Sequence, residues 1–181
     1  MEKNNKHKIF KTSTQLIFTL TLAILFAIGI NTYIFARADI EGTSMLNTLN
    51  DKDITFVEKI SSMTHIIKRD EIIIFNSRNE NNDLFIKRVI GLAGDKLQIK
   101  NGKVYINGHI LSEPYLANNT ITDAGPFIGD KIYTVPKGYV FVLGDNRGNS
   151  TDSRFFGPVN IDDIKGHAIL RVYPFKNISL L

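Results

Sequence analysis

Three stretches of this 181-residue chain carry side chains that could do covalent chemistry. The first is Lys87. In Leu84-Phe85-Ile86-Lys87-Arg88-Val89-Ile90 a period-two strand puts Phe85, Lys87 and Val89 on one face and Ile86, Arg88 and Ile90 on the other. If the Lys87 face is core, its ammonium is desolvated and its pKa falls from about 10.4; a drop to about 8 leaves on the order of a tenth of it neutral at pH 7. That fraction suffices for a general base. The alternative is a half-exposed face along which Lys87 reaches solvent. The second stretch is Ile40 to Leu46, where Gly42 allows close backbone approach and the Ser44 amide can point at a developing oxyanion. The third is Gly144 to Arg154, directly after the apolar run Tyr139 to Leu143 and too polar and glycine-rich for a strand. As a calcium loop it fails, because Arg147 takes the third ligand position counted from Asp145. Gly91 to Lys96 likewise fails as a phosphate-cradling loop, lacking Lys-Ser/Thr after its second glycine. Read alone, 144–154 is equally well a turn-rich connector held by Asp–Arg pairs.

The four histidines offer little. His7 lies in the basic N-terminus, His65 in a Ser/Thr-rich stretch, His109 in a hairpin strand and His167 at the start of the last long strand, without metal-ligand spacing or a carboxylate pattern. Each is expected to be a surface or satisfied residue, so a Ser-His-Asp mechanism lacks its middle member. The absence of cysteine removes thiol peptidases and Cys-ligated zinc or iron–sulfur centres. No cofactor or metal is expected.

These residues must be positioned by the rest of the chain. With 43% apolar and 22% charged residues, the composition is globular and large enough for a core without disulfides. The formal charge is +4, but Lys3, Lys6, Lys8 and Lys11 against Glu2 supply +3 of it. The remaining body is nearly neutral, which argues against nucleic acid as a partner. Between Lys11 and Arg37 there is no charged side chain, and residues 16–36 would span roughly 31 Å as a helix. The expected organisation is a cytoplasmic basic tail at 1–15, a transmembrane anchor at 16–36 and an extracytoplasmic domain at 37–181, with the N-terminus inside by charge asymmetry. Ala36-Arg37-Ala38 also reads as a small-x-small cleavage site of a signal peptide. The length of the apolar stretch and the polar Asn31, Thr32 and Tyr33 favour an uncleaved anchor.

Beyond residue 37 the apolar residues fall in short β-branched runs: 54–57, 71–75, 85–90, 132–135, 139–143 and 168–173. Asn101-Gly102 and Asn107-Gly108 each carry the two-residue hairpin signal, so 97–111 is a three-strand meander. Residues 76–83 read as a polar loop and 112–130 as a long surface excursion, neither with a chemical motif. The expected fold is mostly β: an N-terminal transmembrane helix, then an antiparallel domain of two packed sheets or a partly closed barrel.

Taken together, the three stretches resemble boxes of the bacterial type I signal peptidases, and the resemblance covers essentially the whole chain. Ser44-Met45-Leu46-Asn47-Thr48-Leu49 is similar to the nucleophile box S-M-x-P-T-L, with asparagine for proline. Lys87 to Asp95 matches K-R-V-I-G-x-x-G-D, Gly144 to Arg154 matches G-D-N-R-x-N-S-x-D-S-R, and Gly157-Pro158-Val159 also fits. The resemblance implies a β-sheet catalytic domain of the signal peptidase I type, with Ser44 as nucleophile and neutral Lys87 as general base. It further implies that Ser150 orients the lysine, that Asp152 pairs with Arg154 to stiffen the loop, and that Arg88 is structural. Met45, with Leu46, is expected at the cleft mouth, in contact with substrate or lipid; the alternative is that both pack in the core. The implied substrates are precursor proteins with N-terminal signal peptides, with small residues such as Ala at the first and third positions before the cut. Membrane lipid and the secretion translocon are further expected partners.

Two departures stand out. Asn47 in place of proline is expected to cost up to about 1 kcal/mol of loop order. Gly42 has no hydroxyl to offer an oxyanion, which resembles the compact Gram-positive type. Two rival readings follow from the same residues. Autocleaving repressors use a similar Ser-Lys fold but carry a DNA-binding module in front, where this chain has an apolar segment. A non-enzymatic assembly factor rests on Asn47 alone.

Overall fold

The computed structural model describes residues 15–26, 29 and 34–181, which divide into one unit within 1–36 and a second at 37–181. In the first unit, residues 15–26 form a helix, α1, whose apolar side chains face outward. Its hydroxyls are satisfied internally: Thr19 Oγ1 donates to Gln15 O and Thr21 Oγ1 to Ile17 O, each at 2.9 Å. Among the described residues no helix is long and apolar enough to cross a membrane. The expected tail at 1–15 lies almost wholly, and the expected anchor at 16–36 partly, outside the described residues. At its C-terminal end the expectation needs correction, because Phe35 and Ala36 already belong to a strand, β1 (Phe35–Asp39). Alternation of exposed and half-buried side chains there has period two, not the helical period.

The second unit is antiparallel β. Its larger sheet runs in the order β1, β2 (Ile54–Glu58), β11 (Ile164–Tyr173), β3 (Ile72–Asn76), β4 (Leu84–Gly91), β9 (Tyr139–Leu143) and β10 (Val159–Asn160), with β12 (Ser179–Leu180) paired to β11. The smaller sheet runs β7 (His109–Ile110), β6 (Lys103–Ile106), β5 (Lys96–Lys100) and β8 (Tyr133–Thr134). The two Asn-Gly turns form as read: Asn101 and Gly102 have φ of 51° and 72°, Asn107 and Gly108 of 52° and 86°. Positive φ at both central residues is the type I′ signature, whose twist matches the flanking strands. Helices are confined to single turns, α2 (Ile60–Thr64), α3 (Gly125–Ile128) and α4 (Ser153–Phe156).

The core falls into three clusters, and two of them flank the strand of interest. Ile73, Phe75, Val89, Val140 and Val142 fill the face that carries Lys87. Ile40, Met45, Leu49, Ile72 and Ala168 pack on the other face, with Ile86 against them. A third cluster joins the two sheets through Ile90, Phe141 and Leu143 of the larger and Leu97, Ile99, Val104 and Ile106 of the smaller. Burying each such side chain is worth about 1.5–3 kcal/mol, so β4 is clamped from both sides. Lys87 and Arg88 are therefore both buried, at 4% and 6% exposure.

Candidate active site

Ser44 sits in a tight turn between two buried anchors. Gly42 has φ of 88°, a left-handed conformation that favours glycine, and its N–H donates to Asp51 Oδ1 at 2.8 Å. Past the serine, Leu49 N donates to Met45 O at 2.8 Å, and both side chains are buried. Met45, at 1% exposure, is thus a core residue. The expectation that it lines the cleft mouth is corrected: its apolar side chain is worth more against Ile72 and Ala168 than in an open cleft. Asn47 also needs a new account. Its φ is 82°, which proline, fixed near −65°, cannot adopt. Asparagine tolerates this region, so it suits the backbone this loop takes and is not a lost restraint.

The 144–154 loop closes over that turn. Asn146 N donates to Ser44 O and Asn146 Nδ2 to Thr43 O, both at 3.0 Å, while Asn149 Nδ2 donates to Thr43 Oγ1 at 2.9 Å. Asp152 caps α4 and organises the loop, accepting from Gly144 N at 3.0 Å and from Arg154 Nε and Nη2, each at 2.8 Å. Gly144 is the point of closest approach. A Cβ there would lie 2.2 Å from Ser150 Oγ and 2.5 Å from Ser44 O. Ser150 Oγ is itself buried and makes no hydrogen bond, to the lysine or to any other described residue.

Lys87 meets the serine from the sheet. Its Nζ lies 2.8 Å from Ser44 Oγ and 2.8 Å from Ile86 O, with the Phe85 ring centroid at 5.2 Å. Burial pushes the amine down to about 8, against a smaller opposing pull from the Asp152 carboxylate. Of the two readings of this strand, the core face holds. Beside the pair opens a cleft of about 880 Å³, walled by residues 38–44 on one side and Leu84 to Lys87 on the other. Along Leu84–Lys87, β4 pairs with β3 only; β9 joins it from Arg88 onward. That leaves one edge of the strand open toward the cleft.

Arg88 is turned the other way. Its Nε and Nη2 clasp Asp145 at 2.9 and 2.7 Å, Nη1 donates to Asp70 O at 2.7 Å, and Nη2 reaches Thr48 Oγ1 at 3.2 Å. Thr48 Oγ1 donates in turn to Asp145. Arg147 is fully buried and held by Glu113, by Thr122 Oγ1 at 2.6 Å and by Gly144 O at 3.1 Å. The sequence reading missed Glu113, Thr122 and Tyr115, because 112–130 is polar and carries no motif. It also missed the roles of Asn146 and Asn149, which a turn-rich polar loop does not reveal. Among the histidines, His167 corrects the expectation of no carboxylate partner: buried at 3%, its Nδ1 lies 3.0 Å from Glu71 Oε2. His65 faces Asp162 at 3.3 Å near the surface, His109 is exposed, and His7 lies outside the described residues.

A hydroxyl beside a buried amine, at one end of an open strand edge, is suited to acyl transfer from an extended peptide. The family model described as "Signal peptidase, peptidase S26" matches residues 13–173. The chain is 38% identical over 168 residues to a probable signal peptidase I-2 of Synechocystis, covering 90% of this chain and 74% of that one. It is 37% identical over 189 aligned positions to signal peptidase I of Bacillus amyloliquefaciens, covering 97% of each, and 36% identical over 172 to signal peptidase IB of Staphylococcus aureus, covering 88% of each. A crystal structure of a signal peptidase I from Enterococcus faecalis is 38% identical and superposes with a TM-score of 0.47 over 56% of this chain and 95% of that one. The chain belongs to the signal peptidase family, peptidase S26. Its activity is that of a type I signal peptidase, a serine endopeptidase that removes N-terminal signal peptides from exported precursors.

Proposed function

We propose that Ser44 is the nucleophile of this peptidase and Lys87 its general base. The observation that carries the reading is the 2.8 Å approach of a buried amine, with no carboxylate in contact among the described residues, to the Ser44 hydroxyl. A precursor lies extended along the open edge of β4, adding a strand whose main chain pairs with Leu84 to Lys87. Lys87 Nζ takes the Ser44 proton as Oγ attacks the scissile carbonyl, and returns it to the leaving amine; water then repeats the sequence on the acyl-enzyme. The Ser44 N–H, which donates to no backbone carbonyl among the described residues, faces the developing oxyanion in place of the hydroxyl that Gly42 lacks. Ser150 orients Lys87, a role its unpaired buried Oγ leaves open, and Asp152 with Arg154 holds the loop that carries it.

The same reading assigns residues 1–15 to the cytoplasm, the apolar stretch from residue 16 up to the start of β1 to a single membrane anchor, and 37–181 to the extracytoplasmic side. Lysines before the apolar stretch and none within it support this. Ser44 follows the stretch by eight residues, so it works at the lipid surface, on precursors anchored by their own signal peptides and delivered from the translocon. The test is cleavage of a precursor with Ala at the first and third positions before the cut, by the full chain in detergent. Ser44→Ala and Lys87→Ala should each lose on the order of 10⁴-fold in kcat, and wild-type kcat/KM should rise with pH through a midpoint near 8 as Lys87 deprotonates. Unchanged turnover in Lys87→Ala would refute the reading.

A further inference from the structure

The two halves of the site come from distant segments, yet each is followed or flanked by an arginine that one third segment grips. Lys87 precedes Arg88 in β4. Asn146, which holds the Ser44 carbonyl, precedes Arg147. Glu113 takes Arg147 Nη1 at 3.3 Å and pairs with its Nη2. Two residues on, the Tyr115 ring lies 4.0 Å from the Arg88 guanidinium carbon, and its hydroxyl donates to Glu113 Oε1 at 2.9 Å. The tyrosine–glutamate bond therefore links the two guanidinium groups. Arg88 in turn fixes Asp145, and Arg147 fixes Gly144 O, so both residues before Asn146 are set by this grip. No step of the chemistry above uses Glu113 or Tyr115, and both lie in the 112–130 excursion beyond the cleft.

We infer that Glu113 and Tyr115 are positioning residues, which set the distance between the strand bearing Lys87 and the loop holding Ser44 by gripping Arg88 and Arg147 together. The excursion is thereby a brace, and a side-chain contact of 2.8 Å depends on a segment that touches neither member. The inference rests on the Ser44–Lys87 reading. Buried arginines suit such a brace because the planar guanidinium donates to a carboxylate and a carbonyl and stacks on a ring in fixed directions at once.

The test uses the full chain in detergent, with kcat, KM and the pH dependence of kcat/KM measured per titrated active site. Glu113→Gln should lower kcat by about 10–100-fold, the cost of a misplacement near 1 Å, with KM within about two-fold. Its acid limb should move to higher pH as the loosened amine gains water. Tyr115→Phe, which keeps the ring on Arg88 and removes one hydrogen bond, should lower kcat by about 2–10-fold with the limb moved the same way. A loss that vanishes when rates are counted per active site, or an unmoved limb in both variants, overturns the inference and leaves Glu113 a fold residue. If Glu113→Gln does not fold, Tyr115→Phe decides alone by the same two readouts. Should Ser44→Ala or Lys87→Ala retain turnover, the dyad reading has failed; full loss in those with unaltered Glu113 and Tyr115 variants rejects the brace only.

Discussion

The two faces of β4 treat neighbouring cations in opposite ways. On one, Lys87 lies against Phe85 and the Ser44 hydroxyl, with no carboxylate in contact among the described residues, and burial lowers its hold on the proton. On the other, Arg88 is clasped by Asp145, a carbonyl and a tyrosine ring in a closed network. One residue of strand alternation thus separates an amine whose charge is disfavoured by burial from a guanidinium held in an ion pair. Placing a carboxylate beside Lys87 would hold it cationic and remove the base proposed for Ser44; withholding one from Arg88 would leave an unpaired buried ion.

The sharpest way to break this contrast is to exchange the chemistry on the first face. Lys87→Arg keeps a cation of similar reach that does not deprotonate near neutrality, and cleavage of a precursor peptide should fall by more than about 10³-fold at every pH from 6 to 10. On the second face, Asp145→Asn leaves Arg88 uncompensated; denaturant unfolding should show a loss of about 3–5 kcal/mol. Lys87→Met should do the reverse and stabilise the fold. The folded-state pKa of Lys87 is depressed below its unfolded value, so the wild type carries its burial penalty in full below about pH 8 and sheds it as pH rises toward 10.5. The variant's advantage, about 1–3 kcal/mol at pH 6–7 by the same measurement, should vanish by pH 11. The smallest effects concern the turn after Ser44. Asn47→Pro should cost about 1–2 kcal/mol because of its φ of 82°, whereas Asn47→Gly should change stability by less than about 0.5 kcal/mol.

Local pattern carried much of this in advance. The period-two runs, the Asn-Gly turns and the opposed faces of Lys87 and Arg88 all follow from chemistry within a few residues, and the strands form where the runs lie. The grip on the arginines was hidden because Glu113 and Arg147 are 34 residues apart and pair only once the smaller sheet docks. Likewise the Glu71–His167 contact arises from the pairing of β3 with β11. Met45 and Asn47 fail for a subtler reason. A serine-containing turn reads as cleft, but its flanks must anchor it, and backbone sign is not written in side-chain type.

The buried amine has a use outside its proposed catalytic role. An uncharged primary amine is a nucleophile toward isocyanates and anhydrides, and at pH 7 roughly a tenth of Lys87 is in that form, against fewer than about one in a thousand for an ordinary lysine. Because Lys87 also borders an open cleft, a small acylating reagent carried there by a peptide tail would mark this one lysine among the many on the chain, and so report which molecules have a working pocket.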